Sequence, residues 1–412
     1  MKNNWRRRLL LGVLVLFTVG LWKNAPGQHT ADKCGYDEAA ATALQKLLGS
    51  NWGYGYIDLL SDLQRWAESP YVQIDSIGTS VEGRVLWQLT ITQEQLAKSR
   101  AKHTIFIHAR THPAEVQAFW VTNAIINWLL SDVEWARRLR EQCVFYIVPM
   151  YNPDGVELGY ARQNANGVDL ESNWNADTPE PEVQALRARF LELMQSPQPI
   201  EVALNMHSSY RCTRYFVYHH ENGTSKAFTQ LEKQFIGDVR QYFPPIENWD
   251  YFISWTNGTP LVYPESWFWV NYQEAVMALT YEDMNCDAAG DYDSTALALL
   301  RGIADFLNLD VTQIAASLPT TYPLPVAFKA TYPNPVYRNE NVQVSYRLSR
   351  AVPVTLTVLD VLGRQIQQIN LGLQASGNHR VTLPVSGWRK GIYFLRLQGG
   401  NASVVRKITI VP

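Results

Sequence analysis

The chain has 412 residues, of which 46% are hydrophobic and 18% charged, enough apolar material for two or three buried cores and too much for a disordered or low-complexity chain. Its net charge of −2 conceals an asymmetry: residues 329–412 carry 11 Lys and Arg against 2 acids, while residues 28–328 carry 20 against 36. The acidic central region lacks the basic footprint that nucleic-acid binding requires, which excludes that class, and the contrast predicts two units with different surfaces.

In chain order, Lys2 and Arg6 to Arg8 form a cationic start, followed by a 14-residue apolar run over 9–22 and small residues at Ala25-Pro26-Gly27. The run is short for a membrane span, so residues 1–27 read as a secretory signal peptide, with a retained N-terminal anchor as the alternative. Export makes disulfides possible among Cys34, Cys143, Cys212 and Cys286. Their spacing leaves three connectivities open. Helical patterns follow at 37–48 and 56–67, and strands at 71–77 and 85–91 flank a turn at 80–83. A short β-branched run at 104–108 precedes a helix over 114–130. A strand at 144–149 runs into the turn signal Asn152-Pro153-Asp154-Gly155. Residues 179–194 form a helix with an early Pro and an acidic first turn. Strands at 200–206 and 275–281 and a helix at 294–307 complete an alternating pattern, which predicts an α/β unit over 28–316 with a mixed or parallel sheet covered on both faces.

Residues 317–329 begin with a Pro- and Thr-rich stretch and read as a linker. Beyond it, strand-like runs at 342–348, 354–359, 365–371, 379–383, 391–397 and 404–411 recur at the spacing of a small all-β sandwich, placed at 330–412.

Two residue types with metal-ligand chemistry stand three apart at the predicted helix start, in His112-Pro113-Ala114-Glu115. Alone the motif is weak. His207 ends the predicted strand 200–206, at the kind of strand terminus where open α/β sheets place their sites. Two His and one Glu leave a fourth coordination position for water, the composition of a catalytic zinc set. Glu282 ends the strand 275–281, where a carboxylate beside the ion can take a proton from the attacking water.

The ordered motifs carry a resemblance. Ser-Ile-Gly-Thr-Ser-Val-Glu-Gly-Arg at 76–84, the His112–Glu115 motif, Asn-Pro-Asp-Gly at 152–155, Gly-Val-Asp-Leu at 167–170, His207-Ser208 and Thr-Tyr-Glu at 280–282 resemble the zinc metallocarboxypeptidases of the carboxypeptidase A type over nearly all of residues 50–307. The resemblance implies an α/β fold with a mixed eight-stranded sheet flanked by helices, and one Zn2+ per chain held by His112, Glu115 and His207. It implies Glu282 as general base, Arg162 as the cation that polarises the scissile carbonyl, and Asp169 as the partner behind the first zinc histidine. His108 heads His-Ala-Arg-Thr, where the digestive members carry His-Ala-Arg-Glu. Thr111 is a poor ligand, so the metal is assigned to His112, in line with the His-Pro-Gly-Glu form of the cytosolic carboxypeptidase branch.

The sequence departs from the family at one place. Members that clamp the substrate's α-carboxylate carry Asn-Arg where this chain has Glu171-Ser172. A carboxylate there repels a carboxylate. Three readings are open: Arg211 or Arg214 supplies the charge; Glu171 binds an amine of a basic, amidated or diamino-acid substrate; or activity is lost. With the ligands, the base and Arg162 retained, the expectation is hydrolysis with altered terminal recognition. A non-peptide or murein amidohydrolase and a non-catalytic surface-binding protein are the rival functions. Tyr251 and Tyr263 are candidates for the family's mobile tyrosine, and Trp267, Phe268 and Trp269 suit either a specificity pocket or a core.

The tail, through Tyr332-Pro333-Asn334-Pro335, Leu359 to Arg364, Gly391 to Leu397 and Lys407 to Val411, resembles the C-terminal sorting domain of type IX secretion. That implies the secretion machinery as partner and release from, or attachment to, the surface of a Gram-negative cell. An accessory β-sandwich is the alternative, and its basic surface suits an anionic outer membrane.

Overall fold

The computed structural model describes residues 52–93, 101–209, 211–286, 289–311 and 326–411, apart from 339, 349–351, 362, 376 and 400–401. The signal segment, Cys34, the helix expected at 37–48 and linker residues 317–325 lie outside the described residues. Among the described residues, no helix is long and apolar enough to cross a membrane.

The first unit opens with α1 (Tyr56–Trp66), β1 (Val72–Thr79), β2 (Val85–Ile91), β3 (His103–Ala109), α2 (Val116–Leu129), α3 (Glu134–Gln142) and β4 (Cys143–Val148). It continues through α4 (Pro153–Leu158), α5 (Pro181–Met194), β5 (Ile200–Ser209), β6 (Tyr215–Phe216), β7 (Tyr218–His219), α6 (Lys226–Tyr242), β8 (Ile253–Ser254), α7 (Pro264–Tyr272), β9 (Met277–Met284) and α8 (Tyr292–Phe306). A seven-stranded mixed sheet of order β1-β2-β4-β3-β5-β9-β6 forms among the described residues, with β4, β3, β5 and β9 parallel at its centre. Strands buried on both faces need apolar residues on both, and β3 supplies them at Ile105-Phe106-Ile107 and β5 at Val202-Ala203-Leu204.

The period-2 alternation of these strands assigns two faces. Ile105, Ile107, Val202, Leu204, Met206, Met277, Leu279 and Tyr281 join one core cluster, together with residues of α2, α6 and α8. Phe106, Ala203 and Ala278 join another, with Leu186 and Phe190 of α5. Continuing the second face toward the strand ends brings His108, Asn205, His207, Thr280 and Glu282 onto the α5 side. This row is therefore a polar extension of an apolar layer.

Several helices were not legible beforehand. α6 is one, although Ser225 caps it by accepting from the Phe228 amide at 3.0 Å, and Phe228, Phe235, Ile236 and Val239 recur at helical spacing. α6 and α8 approach closely at Gly302, where a Cβ would lie 2.8 Å from Val239 Cα.

The second unit holds a three-stranded sheet, β10 (Val326–Tyr332), β12 (Asn341–Leu348) and β15 (Gly377–Pro384), and a five-stranded sheet. The latter has the order β11 (Val336–Tyr337), β17 (Ala402–Val411), β16 (Gly391–Gly399), β13 (Val352–Asp360) and β14 (Gln365–Gln374). Alternate residues such as Val342, Val344, Tyr346 and Leu348, or Val354, Leu356 and Val358, build its own core. β10 begins at Val326, inside the stretch read as linker, because Phe-Lys-Ala-Thr-Tyr alternates too briefly to announce a strand before its pairing with β12 is known.

Candidate metal centre

The loop after β3 is set by backbone geometry. Arg110 takes a positive φ of 61°, turning the chain out of the strand. Its guanidinium is buried, and burial lowers its pKa to about 9. The loop is braced by Asn152: its side chain donates to the carbonyls of Thr111 and Gln163, 3.1 Å each, and caps α4 by accepting from the Gly155 amide at 3.0 Å. The helix is expected from Ala114, with His112 just before its start and Glu115 just inside it. α2 instead begins at Val116, and the two ligands share a tight turn closed by Glu115 N–H to His112 O at 3.1 Å.

That turn is fastened to β5 by Ser208, a residue the sequence placed in a motif without a role. Ser208 N–H donates to Glu115 Oε2 at 3.0 Å, and Ser208 Oγ accepts from Ala118 N–H at 2.7 Å. β5 and β9 extend past their apolar runs, so His207 and Glu282 lie within strands and stand directly opposite each other in the parallel register.

His112, Glu115 and His207 converge: their ligand atoms all lie within 4.8 Å of one another, and all three side chains are buried. His112 Nδ1 is 2.8 Å from Glu115 Oε1, His207 Nδ1 is 2.8 Å from Glu115 Oε2, and the two Nδ1 atoms are 3.1 Å apart. Two imidazole nitrogens and a carboxylate aimed at one point form a donor set that fits a small divalent ion, whose bonds of roughly 2.0–2.2 Å reach all three. Asp169 Oδ1 faces the other nitrogen of His112 at 3.0 Å, and Arg162 lies 3.1 Å from Asp169 Oδ2 and 3.7 Å from Glu115 Oε1.

Electrostatics follow the same geometry. Burial acts to raise the Glu115 carboxyl, but His112 and His207 outweigh it and hold it well below the usual range. Glu282 differs: it is 1% exposed, neither oxygen has a hydrogen-bond partner, and burial together with Glu115 pushes its pKa well above the usual carboxylate range. A buried carboxyl without a hydrogen-bond partner beside a candidate metal triad can hold and release a proton.

The remaining candidates separate clearly. His108 pairs with Asn205 in register, packs on Tyr151 and Phe190, and is pushed down to about 3 by burial; it stands outside the ligand group. Glu171 is buried against Asn205 and His207, and Ser172 is exposed beside it. Arg211 is half-buried next to Cys212, whereas Arg214 is buried on Asp283 at 3.1 Å. Tyr251 meets Thr213 Oγ1 at 3.0 Å and packs on Tyr215; Tyr263 is the residue before α7. Phe268 packs on Phe190, Trp267 on Trp174 and Phe190, and Trp269 on Phe228, so all three join aromatic packing. Cys212 and Cys286 form a disulfide that ties the chain after β5 to the end of β9, and Cys143 is a buried thiol.

Residues 58–282 match the family model described as zinc carboxypeptidase, and residues 330–411 match that of the secretion system C-terminal sorting domain. The chain is 36% identical over 148 residues to cytosolic carboxypeptidase 6 and 34% identical over 142 residues to cytosolic carboxypeptidase 1, both of Mus musculus. These stretches cover 35% and 32% of this chain but only 27% and 12% of those relatives. Among solved structures, metallo-carboxypeptidases of Burkholderia cenocepacia and Pseudomonas aeruginosa superpose with a TM-score of 0.53 each at 21% identity, over 62% of this chain and 70% and 69% of theirs. At that identity the likeness is one of fold.

Proposed function

The chain belongs to the zinc carboxypeptidase family, and from that membership we propose that it is an exported zinc-dependent peptidase whose terminal-carboxylate recognition has changed. The convergence of His112, Glu115 and His207 with an unpartnered Glu282 alongside carries the reading. Zinc, when bound there, supplies Lewis acidity to the scissile carbonyl and lowers the pKa of the attacking water.

The chain's own groups do the rest. Glu282 accepts the proton of the attacking water and passes it to the leaving amine. Arg162, its charge permanent, donates to the carbonyl oxygen as negative charge develops. Asp169 accepts from His112 Nε2–H, which fixes the tautomer and turns Nδ1 toward the ion. Altered recognition is supported by Glu171-Ser172, which place no cation where other members grip the α-carboxylate. Arg211, half-buried next to the disulfide, is the cation that would restore the grip on an α-carboxylate if a free C-terminus proved essential. The sorting domain supports export by type IX machinery to the cell surface or medium.

The test is hydrolysis of matched peptides with free and amidated C-termini by the zinc-loaded protein. Chelator-sensitive cleavage of both forms is expected. Absence of any zinc-dependent cleavage across a peptide library rejects the peptidase reading, and a strict need for the free carboxylate rejects altered recognition.

A further inference from the structure

The two histidines of the metal triad are held from behind by two carboxylates, and only one of these belongs to the reading above. His207 turns Nδ1 toward Glu115 and His112, so its proton belongs on Nε2. His207 is 2% exposed, and a buried N–H with no acceptor costs about 1–3 kcal/mol. The nearest charge to that nitrogen is Glu171 Oε2, at an ion-pair distance of 3.2 Å but off the line of a hydrogen bond. Glu171 is itself 7% exposed, and both of its oxygens lie 3.1 Å from Asn205 Nδ2, which fixes the direction of the carboxylate.

Asp169 and Glu171 stand at the two ends of a single linkage. Asp169 caps the short 3-10 turn Leu170–Ser172, accepting from the Glu171 amide at 3.0 Å with the same oxygen that faces His112 Nε2. One turn of chain therefore delivers a carboxylate to the outer nitrogen of each histidine. Asn205 lies two residues before His207 on β5 and on the same face, so the strand that carries the ligand also anchors its partner.

We propose that Glu171 is a positioning residue for His207, as Asp169 is for His112, and that it strengthens metal binding rather than contacting substrate. The inference rests on the zinc reading of the triad. A carboxylate on that side holds the proton on Nε2 by charge, which favours the tautomer that leaves Nδ1 free for the ion and raises its basicity. A second carboxylate behind the ligands also adds negative charge around a dication, and the same charge disfavours an anionic substrate terminus. The replacement at residue 171 thus accounts for two features at once: a reinforced metal site and a weakened carboxylate clamp.

The test is zinc affinity of the full chain, measured by chelator competition, for the wild type, Glu171→Gln and Asn205→Ala, with thermal unfolding of each metal-free protein as the folding control. Glu171→Gln is expected to weaken zinc binding by roughly 10- to 100-fold and to shift the visible spectrum of the cobalt-substituted protein. Asn205→Ala, which keeps the carboxylate but frees it, shifts both in the same direction by less. Should Glu171→Gln fail to fold, Asn205→Ala alone decides the matter. Zinc affinity within about twofold of wild type in the folded variants, or a loss confined to KM for one class of substrate, overturns the proposal. A wild type that binds no zinc overturns instead the reading of the triad on which it rests.

Discussion

Glu282 illustrates how a single residue acquires chemistry from its surroundings. Its carboxyl is enclosed, unpartnered and raised well above its ordinary range, first by burial and then by Glu115, while His207 and Arg162 pull it back. Glu282→Gln removes the proton acceptor and leaves the three ligands in place. The expected result is a fall in kcat of about 10²- to 10⁴-fold with zinc content unchanged, read by steady-state kinetics beside metal analysis. Cys143 shows the opposite use of burial. It is fully enclosed on β4, and desolvation raises its thiol far above the usual value. Alkylation followed by peptide mapping should find Cys143 unmodified in the native protein and modified after unfolding. Labelling of Cys143 at the rate of a free thiol contradicts the placement.

The Asn152-Pro153-Asp154-Gly155 turn is the element that braces the loop carrying His112 and Glu115 from outside the candidate metal centre. Its Asn side chain binds the loop carbonyl of Thr111, and a Cβ at residue 155 would strike Gln163 O and lie 2.6 Å from Pro113 Cγ, beside the first ligand. Gly155→Ala is therefore expected to lower stability by about 1–3 kcal/mol through overpacking, and to weaken zinc binding at the same time. Denaturant melts and metal titration measure the two effects. The Cys212–Cys286 bridge, 74 residues apart in sequence, clamps the far ends of β5 and β9 where His207 and Glu282 sit. Reduction should lower stability by about 2–4 kcal/mol, seen as an earlier denaturant midpoint in the presence of dithiothreitol. At this scale the sequence was informative about strands and less so about helices. Central strands announce themselves by unbroken apolar runs, while α3, α6 and α7 mix aromatic, charged and polar residues and are settled by what they pack against.

At the scale of the whole molecule, the cores form from separate residue sets, two on the faces of the mixed sheet and one inside the sandwich. The charge asymmetry read from composition follows the same division, acidic before residue 329 and basic after it. A chain lacking residues 330–412 is expected to cleave peptides in cell extracts as the full chain does, yet to remain uncollected from the medium and cell surface. Fractionation with activity assays checks this. Export of the shortened chain at wild-type level contradicts the sorting role.

The amino-acid order alone singled out the side chains proposed to carry the chemistry. His112, Glu115, His207, Glu282, Arg162 and Asp169 each sit beside short local patterns, and such patterns depend only on neighbours in the chain. Only the tertiary structure decided where those side chains turn. Glu171 reads as a substrate contact from its place in the Gly-Val-Asp-Leu-Glu-Ser run, yet the fold presses it onto Asn205 and His207, 34 residues and more along the chain. Ser208 as the bolt on the ligand turn, and Cys212 with Cys286 as the bonded pair, are decisions of the same kind. Register between β5 and β9 brings the cysteines together, and the packing of loop and helix across those strands sets the contacts of Glu171 and Ser208; both depend on whole faces, which no local stretch of sequence contains.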